Sequence, residues 1–162
     1  MLDDKVEQVA AALSREKTVR GMLETACREL IAALDASACE ISRVVGDLLV
    51  GLAEASRDAG NPLELGHEYL ISEYPLTQEV IERGEVRTVS LLEENPEPTE
   101  AALLRTLGFD SLLMVCLPSG GRCWGLVEAY ADSKRFDESE GELAEQIAGV
   151  VGEQLKRLDR GI

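Results

Sequence analysis

The residues of this chain that could do chemistry are a few polar side chains set among apolar ones. Glu128 and Tyr130 alternate with small residues in an apolar run after Trp124, and Ser111 begins a second such run. A carboxylate, a phenol and a hydroxyl converging on an apolar surface are typical of a small-molecule site. A carboxylate pair such as Glu54 and Glu128 could in principle do acid–base chemistry, but no pattern in the sequence positions a substrate for it.

Four further polar residues lie where neighbouring elements are expected to cover this surface. They occur at the start of a predicted helix and on the strand after it: Tyr74, Thr77, Thr88 and Ser90. The predicted ligand-binding residues are therefore Ser111, Glu128, Tyr130, Tyr74, Thr77, Thr88 and Ser90. The alternative is that Glu128 lies at the sheet rim in solvent, because a glutamate is rarely fully buried unless it is paired.

Other kinds of site lack the residues they need. The chain has no Ser/His/Asp set, no recognisable His–Cys pair and no phosphate-binding glycine run, so we expect no catalytic residues. With one histidine, His67, and no C-x-x-C pair, it is not expected to bind zinc or another metal. Without a secretory signal, the four cysteines are predicted to be buried free thiols: Cys27, Cys39, Cys116 and Cys123.

Hydrophobic periodicity predicts the elements that position these residues. Predicted helices span residues 3–15, 17–34, 75–83 and 100–107, and a last one follows the capping-box pair Asp137 and Glu140. Predicted strands span residues 38–45, 48–57, 66–72, 87–91, 111–118 and 123–132. Turn residues at Gly46-Asp47 and Gly120-Gly121 indicate two hairpins. Hairpin-joined strands with helices at both ends predict an antiparallel sheet in an α+β fold.

The turn at Gly120-Gly121 predicts which residues share a face of the sheet. A two-residue turn there places Ser111 opposite Tyr130, with Glu128 one pair further in, so the three polar groups converge. The other face of the second strand is small and apolar: Gly125, Val127, Ala129 and Ala131. Because small residues let a helix approach closely, we expect the N- and C-terminal helices on that face and any ligand on the opposite one.

Composition limits the partners of the domain. The 162 residues fit one domain, and 16 Lys+Arg against 31 Asp+Glu give a net charge of −15. Such a charge argues against binding nucleic acid or anionic membranes. The longest uncharged stretch, residues 111–121, is too short to span a bilayer, and the N-terminus lacks a signal-peptide pattern. We therefore expect a cytoplasmic domain that binds neither nucleic acid nor membrane.

Three longer stretches of the sequence combine these residues in a recognisable order. They are Glu73-Tyr74-Pro75-Leu76-Thr77, Leu107-Gly108-Phe109-Asp110-Ser111, and Trp124-Gly125-Leu126-Val127-Glu128-Ala129-Tyr130 followed by Phe136-Asp137. Together they resemble a GAF domain of the type found in bacterial signalling proteins, upstream of diguanylate cyclase or histidine kinase domains. The resemblance covers residues 23–158. It implies an antiparallel sheet of five or six strands, terminal helices on one face, and a ligand cavity under short helices on the other.

Departures from better-known members leave the ligand unidentified. Of the Asn-Lys…Phe…Asp-Glu signature of cyclic-nucleotide-binding GAF domains, only Lys134 and Phe136 are present. Bilin-binding relatives need a cysteine in the segment that corresponds to residues 91–107, and this segment has none. Haem-binding relatives use a histidine ahead of the strand beginning near Ser111, and the loop cysteines of the methionine sulfoxide reductases are not reproduced. Haem, bilin and zinc are therefore not expected.

The expected function is a non-catalytic sensor that binds a small cytoplasmic molecule and relays occupancy through its terminal helices. Residues 1–20 are predicted to be a signalling or dimerisation helix, and residues 21–162 the GAF-like domain. The apolar repeat of Leu2, Val6, Val9 and Leu13 lies upstream of that domain, so we expect it to be buried in a homodimer. Any output enzyme domain would lie outside this chain. The alternative is a dimerisation module whose cavity is filled by its own side chains.

Overall fold

The computed structural model describes residues 2–57 and 68–159. These residues form five α-helices: α1 (Leu2–Ser14), α2 (Val19–Leu34), α3 (Pro75–Arg83), α4 (Pro98–Leu107) and α5 (Glu138–Asp159). They also form six strands: β1 (Ala38–Val45), β2 (Leu48–Ser56), β3 (Tyr69–Leu70), β4 (Arg87–Ser90), β5 (Ser111–Ser119) and β6 (Arg122–Ala131). A short 3-10 helix, Ile71–Glu73, joins β3 to α3. His67 and the start of the strand predicted at 66–72 lie outside the described residues.

The helix starts follow from local capping chemistry. The predicted capping box begins α5, because the amide of Glu140 donates to Asp137 Oδ1 at 2.8 Å and the amide of Asp137 donates to Glu140 Oε1 at 3.0 Å. The α4 helix starts at Pro98 and not at the predicted residue 100, since proline fits the first helical position. The Glu97 side chain caps it by accepting from the amide of Glu100 at 2.7 Å.

All six strands form one antiparallel sheet, in the order β3-β2-β1-β6-β5-β4. The predicted α+β fold with an antiparallel sheet of five or six strands is therefore confirmed. Both predicted hairpins are present, since Val45 pairs with Leu48 and Ser119 with Arg122. The order places β1 and β6 at the centre of the sheet, where both of their faces are covered.

The predicted pairing of β5 with β6 is wrong by one residue. Gly120 and Gly121 do form the two-residue turn, with φ angles of 65° and 77° that glycine adopts without strain. Beyond the turn, Pro118 pairs with Cys123 and Leu117 with Gly125, which leaves Trp124 as an extra residue in a β-bulge. The bulge moves every later pair by one position.

This shift changes which β5 side chains share a face with the polar residues of β6. Ser111 pairs with Ala131, and it is Leu112 that lies opposite Tyr130. Met114 in turn lies opposite Glu128. Because neighbouring residues of a strand point to opposite faces, the slip moves Ser111 to the face away from Glu128.

The N- and C-terminal helices cover the small-residue face, as predicted. Val127, Ala129 and Ala131 of β6 are buried in one core with apolar residues of α1, α2 and α5. The contact is close, because a Cβ atom at Gly152 of α5 would overlap the carbonyl oxygen of Pro118 on β5. The shorter helices α3 and α4 pack on the opposite face, in a second core that includes Val80, Leu104 and Tyr130.

The α1 helix packs within the same chain, which corrects the reasoning behind the predicted homodimer. Val9 and Leu13 are buried in the terminal-helix core, and Val6 packs at its margin. The side chain of Leu2 is outside the described part. The apolar repeat of α1 is therefore covered by α5 and α2, and does not need a second copy for its burial.

The cysteines divide into two pairs. Cys27 and Cys39 are buried free thiols, as predicted. Cys116 and Cys123 instead form a disulfide across the β5–β6 hairpin, so the prediction of four free thiols is wrong for this pair. Sequence spacing alone did not reveal the pairing, because it depends on the register that the hairpin turn and the bulge set.

Candidate functional site

Three glutamates lie side by side across the centre of the sheet. Glu40 of β1 pairs with Glu54 of β2 on one side and with Glu128 of β6 on the other. Their face is the one away from the terminal helices, because the neighbours of Glu40 in β1, Cys39 and Ile41, are buried in the terminal-helix core. Glu40 and Glu128 are 3% and 6% exposed, whereas Glu54 reaches the surface. Like charges directly opposite each other are unfavourable, so this arrangement has to be compensated elsewhere.

A fourth carboxyl group comes from a helix that covers this face. Glu100, in the first turn of α4, is fully buried, and its Oε1 accepts from the Thr77 hydroxyl of α3 at 2.6 Å. The Thr77 oxygen also lies 3.4 Å from Sδ of Met114, whose partner across the sheet is Glu128. Glu100 is thus joined through Thr77 to the strand beside Glu128. We call the three buried residues Glu40, Glu100 and Glu128 the carboxylate cluster.

Tyr130 holds one end of the carboxylate cluster in place. Its hydroxyl donates to Glu128 Oε2 at 3.1 Å, and its ring packs against Phe109 with 5.2 Å between the ring centroids. Two more tyrosines lie at the margin of the cluster, Tyr69 of β3 and Tyr74 before α3, whose rings meet edge to face at 5.7 Å. Phenols and apolar rings therefore surround the carboxyl groups on the side of β3 and α3.

Burial raises the pKa of each carboxyl group of the carboxylate cluster. It raises the pKa of Glu40 to about 9, with further increases from Glu128 and Glu54. Burial also raises the pKa of Glu128 to about 7. The nearby Glu100 carboxyl group contributes to this increase, and the hydrogen bond from Tyr130 acts against it. The pKa of Glu100 is raised by burial too, against the hydrogen bond from Thr77.

The carboxylate cluster lacks basic partners in the part of the chain that the structure describes. None of the ion pairs found there involves Glu40, Glu100 or Glu128. The second oxygen of Glu100, Oε2, is buried without a hydrogen-bond partner. A buried acceptor without a donor is costly, so this oxygen marks a position where a donor from outside the described chain would be favourable.

The structure does not bring the seven predicted site residues to one surface. Glu128, Tyr130, Thr77 and Tyr74 lie on the face of the carboxylate cluster or at its margin. The other three lie on the terminal-helix side of the sheet: Thr88, Ser90 and Ser111. The physical reason is the bulge at Trp124, which turns Ser111 to that side and its β4 partners with it.

The three displaced residues have other surroundings. The Ser111 hydroxyl lies 2.8 Å from Ser90 Oγ and bonds to the carbonyl of Lys134, so both serines tie strand ends together. Thr88 lines a groove of about 490 Å³ between β4 and the start of α5, which also holds acidic residues such as Glu142. None of the three approaches Glu128.

Sequence reasoning missed two members of the carboxylate cluster. Glu40 has a detectable signal, since it sits between buried residues of a strand in the same alternation as Glu128. Glu100 has none, because a glutamate in the first turn of a helix is ordinary at a surface. Its burial depends on how α4 packs over the sheet.

The family comparison agrees with this arrangement of sheet and helices. The model of the family described as "GAF domain" matches residues 19–155, which is most of the chain. The chain belongs to the GAF domain family. The predicted resemblance is thereby confirmed. GAF domains are generally non-catalytic sensory domains that bind ligands, so this chain is a sensory ligand-binding domain, and the expected lack of catalysis is consistent with its family.

Two bacteriophytochrome structures are among the solved structures with a similar fold. The GAF chain is similar to the chromophore-binding domain of a bacteriophytochrome from Stigmatella aurantiaca, with a TM-score of 0.80 and 16% identity, over 96% of this chain and 60% of that one. It is also similar to a bacteriophytochrome from R. palustris, with a TM-score of 0.82 and 15% identity, over 98% of this chain and 37% of that one. At such identities the likeness establishes the fold alone. No curated protein sequence matches the chain.

Within residues 2–57 and 68–159, none of the helices has the length and hydrophobicity that a membrane span requires. The same part of the GAF domain has no group of three His, Cys, Asp or Glu side chains arranged to hold a metal ion. The carboxylate cluster is therefore spread too widely for a metal site of that kind.

Proposed function

We propose that this GAF domain is a sensor for a small cytoplasmic molecule in bacterial signal transduction, and that the molecule binds at the carboxylate cluster. The observation that carries the proposal is the buried Glu100 Oε2 without a donor, set beside two further buried carboxyl groups under α3 and α4. The proposed contacts from the chain are Glu128, Tyr130, Thr77 and Tyr74, together with Glu100. The sensory role is proposed because the chain belongs to the GAF family, whose members are generally sensory domains.

The proposed relay runs through the two central strands. In β1, Glu40 faces the carboxylate cluster while its neighbours Cys39 and Ile41 pack against the terminal helices. In β6, Glu128 alternates in the same way with Val127 and Ala129. A ligand that changes the spacing or charge of the two glutamates acts on β1, which α2 contacts, and on β6, whose Val127 and Ala129 lie in the same core as α2 and α5. Movement of these helices would then reach an output domain or a partner.

We also propose a homodimer through the terminal helices, although fewer of their apolar side chains are open to a partner than the sequence indicated. With Val9 and Leu13 buried in the chain itself, the apolar side chains left partly open on these helices include Val6, Val150 and Leu158. Light scattering at micromolar concentration tests the dimer directly. A strict monomer in the full chain contradicts it, and a dimer that Val150→Glu and Leu158→Glu dissociate without unfolding the domain supports it.

A second candidate is a dimerisation module without a ligand. It is favoured by the filling of the ligand face by the protein's own side chains, since Leu112, Met114, Leu126 and Tyr130 are buried there. The Glu128 carboxyl also has an internal donor in Tyr130. In this alternative the carboxyl groups are simply protonated, and the face is part of the core.

Binding of small molecules to the purified domain separates the two candidates. We expect at least one fraction of a cytoplasmic small-molecule extract to raise the melting temperature of the wild-type domain in a saturable way. The same fraction should act much less on Glu128→Gln, and equally well on Glu94→Gln, which removes an exposed glutamate. If no fraction shifts any of the three proteins, the dimerisation module is the better account.

A further inference from the structure

The number of hydrogen-bond donors at the carboxylate cluster falls short of its acceptors. Among the described residues, Thr77 donates to one oxygen of Glu100 and Tyr130 to one oxygen of Glu128. The other Glu100 oxygen has no hydrogen-bond partner, and water does not reach it because the whole side chain is buried. Since buried polar atoms are nearly always hydrogen-bonded, a molecule that binds here has to bring N–H or O–H donors to this acceptor.

The same groups also define the sign of the charge that the site accepts. Glu128 lies beside Glu40 on the sheet and is influenced by Glu100, and the ion pairs of the described residues supply none of the three with a lysine or arginine. When these groups ionise they repel one another, so an anionic ligand would add to the repulsion and a neutral one would leave it unchanged. A cation offsets it, because opposite charges a few ångströms apart attract strongly where water is excluded.

The spacing of the carboxyl groups argues against a bare metal ion. Glu40 and Glu128 lie on adjacent strands, which are separated by about 5 Å, and Glu100 approaches from a helix above the sheet. No three acidic, histidine or cysteine side chains in the described ranges converge as metal ligands do. An organic cation spans separate carboxyl groups, since its donors are held apart by its own carbon chain.

From these observations we propose that the ligand is a small organic amine or guanidinium compound, whose N–H groups donate to Glu100 and whose positive charge lies between Glu100, Glu128 and Glu40. This inference rests on the proposed sensory function and assigns a chemical class to its ligand. Guanidinium and primary ammonium groups suit the site because they combine a positive charge with several N–H donors. A quaternary ammonium carries the charge without the donors and leaves Glu100 Oε2 unsatisfied.

Binding of such a cation is coupled to release of protons. The pKa of Glu40 is raised to about 9 and that of Glu128 to about 7, and a cation binds to the ionised form, so affinity increases as pH rises from 6 to 8. The titratable groups that face the cluster from the surrounding elements are Glu54 on β2, Tyr69 on β3, Tyr74 before α3, Glu97 before α4 and Tyr130 on β6. The phenols among them have raised pKa values and stay neutral over this range.

Isothermal titration calorimetry of the whole 162-residue chain tests the inference. The probes are agmatine and cadaverine. The bis-trimethylammonium analogue of cadaverine is the control that carries charge without N–H donors, and pentane-1,5-diol is the control that carries donors without charge. Titrations in 150 mM salt, in two buffers of different ionisation enthalpy, give the affinity and the number of protons released. We expect saturable 1:1 binding of agmatine or cadaverine with proton release, and at least tenfold weaker binding of both controls.

Variants show whether the site is the carboxylate cluster. Glu100→Gln should weaken binding at least tenfold, whereas Glu94→Gln should bind like the wild type. If Glu100→Gln does not fold, Glu128→Gln provides the same comparison, with fewer protons released. Equal binding of the quaternary analogue, or equal binding to all variants, would overturn the inference as non-specific attraction to an acidic protein.

Two further outcomes separate this inference from the proposed function. If neither amine binds while a neutral or anionic fraction of the extract shifts the melting temperature in a Glu128-dependent way, the cation assignment is overturned and the sensory function stands. If neither the probes nor any fraction binds, both are overturned.

Discussion

Replacing Glu128 by glutamine should make the stability of the domain less dependent on pH. Glutamine keeps the shape of the protonated glutamic acid and can still accept from Tyr130. In the folded wild type the pKa of Glu128 is raised from 4.5 to about 7, chiefly by burial. Above pH 4.5 the glutamate of the unfolded chain is ionised while the folded one still holds its proton. The free energy of unfolding therefore falls as pH rises from about 5 to 7.

The size of this effect follows from the pKa shift. Each pKa unit corresponds to 1.36 kcal/mol, so a rise from 4.5 to about 7 removes about 3 kcal/mol of stability by pH 8. Glutamine at position 128 cannot ionise and does not suffer this loss. It also removes a neighbouring charge that raises the pKa of Glu40, so the gain extends toward pH 9. Below pH 4.5 the two proteins should differ by a constant amount.

Urea denaturation followed by circular dichroism at pH 4.5, 6, 7 and 8 measures this difference. We expect Glu128→Gln to gain up to about 3 kcal/mol on the wild type between the lowest and highest pH. Glu94→Gln, which removes one exposed charge, should follow the wild-type curve. A difference between Glu128→Gln and wild type that does not change with pH would refute the assignment of a protonated, buried carboxyl at this position.

Three further substitutions test the packing around the site. Thr77→Val removes the donor to Glu100 and should lower the unfolding free energy by about 1–3 kcal/mol, whereas Thr77→Ser keeps the hydroxyl and should be near wild type. Equal stability of the two variants in urea denaturation would contradict the hydrogen bond. Gly152→Ala should destabilise the domain by about 1–3 kcal/mol, because the added Cβ meets the carbonyl of Pro118 on β5. Gly149→Ala, on the open side of α5, should be neutral or stabilising. The reverse order of melting temperatures would show that the packing of α5 on β5 is wrong. Leu13→Ala should cost about 2–5 kcal/mol if α1 is part of the core, and no change in the urea midpoint would show that α1 is detached.

Local sequence patterns predicted most of the fold because the elements have strong local signals. Pro75 and the Asp137–Glu140 capping box set helix starts, and Gly120-Gly121 set the turn between β5 and β6. Such signals lie within a few residues of the features that they determine. The prediction of an antiparallel sheet with terminal helices on one side needed only these signals and the alternation of small residues in β6.

The site could be predicted only in part, because it depends on long-range register and packing. The bulge at Trp124 has no signal in the sequence, yet it decides which face of the sheet Ser111 occupies. Glu128 and Tyr130 were found because both lie in the same alternation on β6. Glu100 reaches them from a helix that is separate in the sequence, so its contribution appears only once α4 is packed over the sheet.

The burial of α1 was missed for a related reason. An apolar repeat at the start of a chain indicates that a partner surface exists but not which one. Here the partner is α5, which lies more than a hundred residues later and whose Arg157 also bonds to the carbonyl of Glu16 at 2.7 Å.

Native mass spectrometry of the domain, after incubation with a cytoplasmic small-molecule extract and buffer exchange, tests the central claim most directly. The claim is that a small molecule binds at the carboxylate cluster. We predict a bound mass on the wild type and on Glu94→Gln, and its loss or strong reduction on Glu100→Gln and Glu128→Gln. No bound mass on any of the folded proteins, or the same bound mass on all four, would contradict it.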